Sequence, residues 1–200
     1  TAHDAGVVHR DIKPHNIFRH KQDTRSRVWK VLDFGVSKYL SGGATLTQAG
    51  CIVGTPRYMS PEQAQGKDLD HRTDIYSLGA VLYRALTGSP PFAGGGFHAI
   101  AAAAYQRPAH PRLVAPDLDP QIIAVLSLAM APDPVQRFSS AEAFAKAFQM
   151  AYEGALPQEM MERAKLVPCA MPAALLPPHA RAAAERCDGA RHADVAELHA

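Results

Sequence analysis

Four side chains near the start of the chain have the types and spacing that phosphoryl transfer requires. In the run HRDIKPHN, His9 to Asn16, the carboxylate of Asp11 is followed two residues later by the ammonium of Lys13 and five later by the carboxamide of Asn16. A second carboxylate, Asp33, opens Asp33-Phe34-Gly35. Moving a phosphoryl group demands few protein groups: a carboxylate beside the attacking hydroxyl, oxygen ligands for the metal that neutralises the phosphates, and a cation on the transferred group. Asp11 suits the role of proton acceptor, and Lys13 that of the cation over the γ-phosphate of ATP. Asn16 and Asp33 offer the oxygen ligands that a hard cation, Mg2+ or Mn2+, prefers. Gly35 supplies the backbone freedom for a sharp turn after Asp33.

These groups need elements to hold them. Val7 and Val8, residues 16–18 and residues 28–32 are short β-branched or aromatic stretches, and the last two, separated by polar residues, predict a small hairpin. The basic residues at its tip, Arg19, Lys21, Arg25 and Arg27, lack interleaved aromatics, so a solvated tip is expected there, not a nucleic-acid patch. From Asp33 to Glu62, five glycines and several hydroxyl residues show no sustained period, which predicts a long adjustable loop. Ser60-Pro61-Glu62 then combines a cap, a first-turn proline and an acid, the signals of a short helix start. Ile75, Leu78, Leu82 and Leu86, widened by Val81 and Ala85 and closed by Gly88 and Pro90-Pro91, predict a central helix over 73–87. A short helix is expected over 97–104, then a proline-punctuated segment over 108–120. Two further helical faces follow: Ile122, Leu126 and Met130, then Phe144, Phe148 and Tyr152, with Ser139 and Glu142 in capping-box spacing. The packed domain is expected over 1–152. Residues 153–200, rich in Ala, Pro, Arg and Glu, read as a linker or tail with transient helix near 180–186.

The ordered set HRDIKPHN, DFG, GTPRYMSPEQ, DIYSLG, LTGSPPF and DPVQRF resembles the protein kinase family. The resemblance implies a mainly α, kinase-like C-terminal lobe, a helical bundle with a small hairpin at the catalytic cleft, and an N-terminal lobe absent from the chain. His9 and Phe34 resemble the stacked pair that locks the metal-binding turn in its active form. Asp74 resembles the buried acid that holds the catalytic-loop backbone, Glu62 and Arg137 the ion pair that fastens the end of the activation segment (33–62), and Phe18 the apolar residue under the adenine ring. Lys13 and Thr55, in the turn Gly54-Thr55-Pro56, match the serine/threonine type, and the wording of residues 58–63 and 74–77 resembles the bacterial eukaryotic-like branch. Arg10 and Lys38 resemble the basic pocket for an activation-loop phosphate. Many members carry that phosphate four residues before the position of Thr55, where this chain has Cys51, so Thr47 is the expected phosphosite and Thr45 the second.

Composition is compatible with that reading. Two hundred residues with 47% apolar content suffice for one domain with a core, and 21 basic against 19 acidic residues set up no global field for nucleic acid or a membrane. Three irregularly spaced cysteines fit neither a disulfide framework nor a metal knuckle, which points to a reducing cytoplasm; a membrane anchor in the parent stays compatible. None of the histidines pairs at metal-ligand spacing, and His192 and His199 near Cys187 read as tail. No apolar run approaches the roughly 18 to 20 residues of a membrane span. Thr1 at the start, with a chemical motif within a dozen residues, leads to the expectation of a fragment. The Gly-rich loop, strand lysine and helix glutamate of a complete site are not in this sequence, so inactivity of the chain alone is expected. Expected partners are proteins with Ser/Thr acceptors and a second copy for trans-autophosphorylation. Two other functional classes fit the sequence less well. A small-molecule kinase of the aminoglycoside or choline type is opposed by Lys13, Phe34-Gly35 and residues 54–62, and a non-catalytic scaffold by the presence of Asp11, Lys13, Asn16 and Asp33.

Overall fold

The computed structural model describes residues 2–23, 26–34, 56–92 and 96–168. Its elements are strands β1 (Ile17–Lys21) and β2 (Arg27–Val31) and helices α1 (Pro61–Ala64), α2 (Arg72–Thr87), α3 (Gly96–Tyr105), α4 (Pro111–Val114), α5 (Pro120–Ala129), α6 (Ala141–Tyr152) and α7 (Gln158–Leu166). Single 3-10 turns sit at Pro14–Asn16, Pro56–Tyr58 and Pro134–Gln136. The expected hairpin is present, with β1 and β2 antiparallel and Ile17 opposite Val31, Phe18 opposite Lys30, and Arg19 opposite Trp29. Val7 and Val8 form no strand.

Local chemistry sets the helix limits. Ser60 caps α1 in a reciprocal box, its hydroxyl accepting from Gln63 N–H while the Gln63 side chain accepts from Ser60 N–H. Asp119 caps α5, with Pro120 in the first turn. Helix α6 is capped by Ser140, accepting from Ala143 N–H, one residue later than the expected Ser139. Helix α2 stops at Gly88, whose φ of 76° is a left-handed conformation that a side chain resists, and its N–H closes on Arg84 O at 2.9 Å.

Helix α2 is central, but its buried stripe is rotated from the leucine-based expectation. Ile75, Tyr76, Ala80 and Tyr83 are buried, whereas Leu78 and Leu82 are only partly buried and Leu86 is exposed. The cause is a two-sided environment. Ile75 faces a cluster with Val125, Leu126, Phe138 and Phe144, and Tyr76, Ala80 and Tyr83 face Tyr58 and Met130. Gly79 allows α2 and the end of α5 to approach closely, since a Cβ there would lie 3.0 Å from both Ala129 Cβ and Met130 Cγ. On α6, Phe144, Ala147 and Ala151 are buried while Tyr152 is 83% exposed, so the aromatic face expected through Tyr152 turns away from the core at its end.

Packing also continues beyond Tyr152. Leu156 and Val167 belong to the same buried cluster as Phe144, and Met160, Met161 and Ala164 of α7 pack against it. The sequence signal was present in the three- and four-residue spacing of Met160, Ala164 and Val167, masked by the charged residues between them. Residues 180–186 lie outside the described residues. No helix among the described residues is long and apolar enough to cross a membrane.

Candidate active site

The catalytic-loop residues are fixed from below by the first turn of α2. Asp74, 2% exposed, accepts the backbone N–H of His9 at 2.7 Å on Oδ2 and that of Arg10 at 2.8 Å on Oδ1. His3 Nε2 adds a third bond to Oδ2 at 2.9 Å. From the other side, Gln63 Nε2 donates to Arg10 O at 2.8 Å, tying α1 to the loop. Held this way, Arg10 adopts a φ of 65°, and Asp33 a φ of 55°; they are the only non-glycine residues with positive φ among the described residues. Such backbones cost about 1 to 3 kcal/mol each and persist where surrounding contacts over-determine them.

His9 links the two strained positions. Its Nδ1 accepts the Asp11 N–H at 3.2 Å, so Nε2 carries the proton and donates to Leu32 O at 2.9 Å. The ring packs on Phe34 with centroids 4.8 Å apart. Leu32 N–H also donates to Asn16 O at 2.8 Å, which sets Asn16 beside the end of β2, one residue before Asp33. Around Asp11, Lys13 Nζ lies 2.8 Å from Oδ2, and Asn16 Nδ2 donates to Asp11 O at 2.8 Å and to Oδ2 at 3.3 Å. Among the described residues both Asn16 side-chain bonds run through its nitrogen, so Oδ1 is the atom with acceptor capacity left. Exposed Asp33 lies two residues past the end of β2. Asn16 Oδ1 and a carboxylate make an all-oxygen donor pair, which fits Mg2+ held by one or two protein ligands with phosphate and water.

The second anchor is a buried guanidinium. Arg137 Nη1 and Nη2 donate to Glu62 Oε1 and Oε2 at 2.6 and 2.7 Å. The remaining three N–H groups go to the carbonyls of Ala131 (2.8 Å), Arg72 (3.0 Å) and Pro132 (3.2 Å), so all five donors are used. Thr73 Oγ1 also donates to Glu62 Oε1 at 2.7 Å, and the Tyr76 ring lies under the guanidinium, 4.9 Å from ring centroid to Cζ. Burial works to raise the Glu62 carboxyl, but the Arg137 hydrogen bonds and charge, helped by Thr73, outweigh it and hold it below its ordinary value. Burial also pushes the Tyr76 hydroxyl well up, and that group has no hydrogen-bond partner among the described residues.

Of the residues singled out by sequence, His9, Arg10, Asp11, Lys13, Asn16, Phe34 and Asp74 are joined in one network, with Asp33 between Leu32 and Phe34 of its rim, and Glu62 of α1, paired with Arg137, is the neighbour of Gln63, which bonds Arg10 O. Phe18 lies on exposed β1, opposite Lys30. Gly35, Lys38, Thr45, Thr47, Cys51 and Thr55 fall outside the described residues. Sequence reasoning missed His3, Gln63, Thr73 and Tyr76. Gln63 was legible as the third residue after the Ser60 cap; the others contact their partners only through the tertiary fold.

Residues 1–149 match the protein kinase domain family, and the chain belongs to that family. It is 42% identical over 151 residues to the serine/threonine-protein kinase Pkn1 of Myxococcus xanthus, covering 75% of this chain and 22% of the relative. To PknB of Mycolicibacterium smegmatis it is 39% identical over 161 residues, covering 78% of this chain and 25% of the relative. A crystal structure of the Mycobacterium tuberculosis PknI kinase domain superposes with a TM-score of 0.55 at 28% identity, over 75% of this chain and 49% of that one. The chain therefore spans about a quarter or less of those curated relatives and about half of that kinase domain structure.

Proposed function

We propose that the chain is the C-terminal lobe of a bacterial eukaryotic-like serine/threonine protein kinase that transfers the γ-phosphate of ATP to Ser and Thr hydroxyls of proteins. The observation that carries this reading is the convergence of Lys13 and Asn16 on Asp11, on a loop gripped by Asp74 and coupled through His9 to Asp33 and Phe34. Asp11 takes the proton of the attacking hydroxyl. Lys13, beside it, steadies the charge of the transferred group and moves between the carboxylate and that group with little displacement. Asn16 Oδ1 and Asp33 would hold Mg2+, which when bound would neutralise the phosphate oxygens. The fixed Arg10 and Asp33 backbones pre-set these groups, so little reorganisation is needed at the moment of transfer.

The same reading assigns the rest of the nucleotide site to an N-terminal lobe supplied outside these 200 residues. Its support is the exposed hairpin, where Phe18 is 58% and Trp29 66% exposed, an unusual cost for large apolar rings on a solvated surface. Phe18 would meet the adenine ring. Alone, the chain is expected to be inactive and prone to associate through this face. We assign activation to phosphorylation of Thr47, with Thr45 second, by another copy of the kinase in the cytoplasm. Arg10 and Lys38 would receive the phosphate. Mass spectrometry of the active intact kinase is expected to find one of the two modified.

The test of the assignment of Asn16 and Asp33 is a Mg2+ titration of phosphotransfer by the intact protein. Asn16→Ala is expected to raise the Mg2+ concentration needed for half-maximal rate, and Asp33→Ala to abolish transfer at all concentrations. Unchanged Mg2+ dependence in both variants would remove these residues from the metal site.

A further inference from the structure

Two tyrosine hydroxyls of α2, those of Tyr76 and Tyr83, are buried without a hydrogen-bond partner among the described residues. A buried hydroxyl left unpaired is less favourable than the phenylalanine of the same shape, so each calls for a reason. Tyr76 is enclosed, with the Arg137 guanidinium over its ring. The surroundings of Tyr83 differ. It is 1% exposed, yet it borders an open depression of about 300 Å3.

Segments far apart in sequence build this depression. Leu126 and Met130 come from α5 and its C-cap, Pro108 and Pro111 from the approach to α4, and Val167 from the residue that ends α7. Val167 lies beyond residues 1–149, so part of the wall is outside the stretch that matches the kinase domain. None of the lining residues carries a charge. Ser127 is the other polar side chain of the lining, and its hydroxyl already donates to Ile123 O at 2.9 Å. Burial raises the Tyr83 hydroxyl above its ordinary value, so at neutral pH it keeps a proton to donate. An ordered buried water makes about three hydrogen bonds, and the lining side chains offer it two hydroxyls among apolar walls. An apolar concavity with one free donor, at the lower end of the range of about 300 to 1,000 Å3, has the make-up of a small-ligand site.

We infer that this depression binds a small neutral molecule with an aromatic or alicyclic body and a carbonyl group that accepts from the Tyr83 hydroxyl. The body covers Leu126, Met130 and Val167. An anionic ligand does not suit the site, because the lining holds no cation and an unpaired buried charge costs far more than one phenol donor returns. The inference is independent of the kinase reading, since no lining residue belongs to the catalytic loop or to its anchors.

The probes are acetophenone and ethylbenzene, which are similar in shape and differ in the carbonyl. Their binding to the intact protein is read by NMR on labelled methionine methyls, with the Met130 signal assigned by Met130→Leu. Both are expected to shift that signal saturably. Tyr83→Phe removes the donor and keeps the ring: it is expected to weaken acetophenone about fivefold and to leave ethylbenzene within about twofold. Without a probe, Tyr83→Phe is expected to keep or raise the melting temperature, because the hydroxyl it removes has no partner. Failure of either probe to shift the Met130 signal saturably overturns the inference, as does an acetophenone affinity unchanged by Tyr83→Phe or an equal loss for both probes. A clear fall in the melting temperature of Tyr83→Phe also overturns it, by showing that the hydroxyl is already satisfied.

Discussion

Replacing Arg137 with Met tests the second anchor by leaving a buried carboxylate without its cation. Arg137 is 3% exposed and all five of its N–H groups are engaged, two of them on Glu62. Met keeps much of the volume but leaves the Glu62 carboxylate and the carbonyls of Ala131, Arg72 and Pro132 short of a donor. Breaking a buried pair from one side costs about 3 to 5 kcal/mol. With a urea slope of about 2 to 3 kcal/mol/M for a domain of this size, the midpoint falls by about 1 to 2.5 M. Pulse proteolysis in urea reads this at protein concentrations low enough to suppress association. The pH dependence adds a sign. Because Glu62 lies below its ordinary value of 4.5, its contribution is full above that value and is lost as pH falls through the lower folded value. In the Met variant burial is opposed only by the Thr73 bond and a backbone hydrogen bond, so the carboxyl protonates more readily and the deficit against wild type shrinks toward acid pH. A loss under about 1 kcal/mol at neutral pH, or a deficit that grows on acidification, would refute the reasoning.

Asp74→Asn presents an amide N–H2 to one of the two backbone N–H groups it now accepts, so the loop shifts; kcat of the intact kinase is expected to fall about 100-fold with the lobe still folded by circular dichroism. Gly79→Ala forces a methyl against Ala129 and Met130 and should cost about 1 to 3 kcal/mol in the same urea assay. Ending the chain after Tyr152 strips Leu156 and Val167 from the core, a loss of about 3 kcal/mol or more at about 1.5 to 3 kcal/mol per buried side chain. Ending it after Pro168 should cost little, and equal midpoints for the two truncations would show that α7 is dispensable.

Much of the site was legible because its chemistry is local. Asp11, Lys13 and Asn16 are close in sequence, and the structure joins them through two hydrogen bonds to Asp11 Oδ2 and one to its carbonyl. The long-range pairing of Glu62 with Arg137 was expected from the family resemblance alone, since no periodicity links residues so far apart. Helix limits followed from caps and Gly88, but helix faces did not. On α2 the leucines marked a plausible stripe, yet neighbours on two sides made Tyr76, Ala80 and Tyr83 the buried residues. A helix in contact with several partners does not carry one amphipathic stripe. The polar partners His3 and Thr73 were invisible for a related reason: a hydrogen bond to a buried acid leaves no period or spacing in the sequence. Helix α7 was missed because its charges dominate its composition, although Met160, Ala164 and Val167 keep a helical spacing.

The most direct test of the account is transfer of radiolabelled phosphate from ATP to serine and threonine of a protein acceptor by the intact kinase, wild type against Asp11→Asn. The account predicts labelled phosphoserine or phosphothreonine with wild type and a rate at least about 100-fold lower for the variant, whose folding is unchanged. Equal rates for the two proteins, or no labelling by wild type, would contradict it.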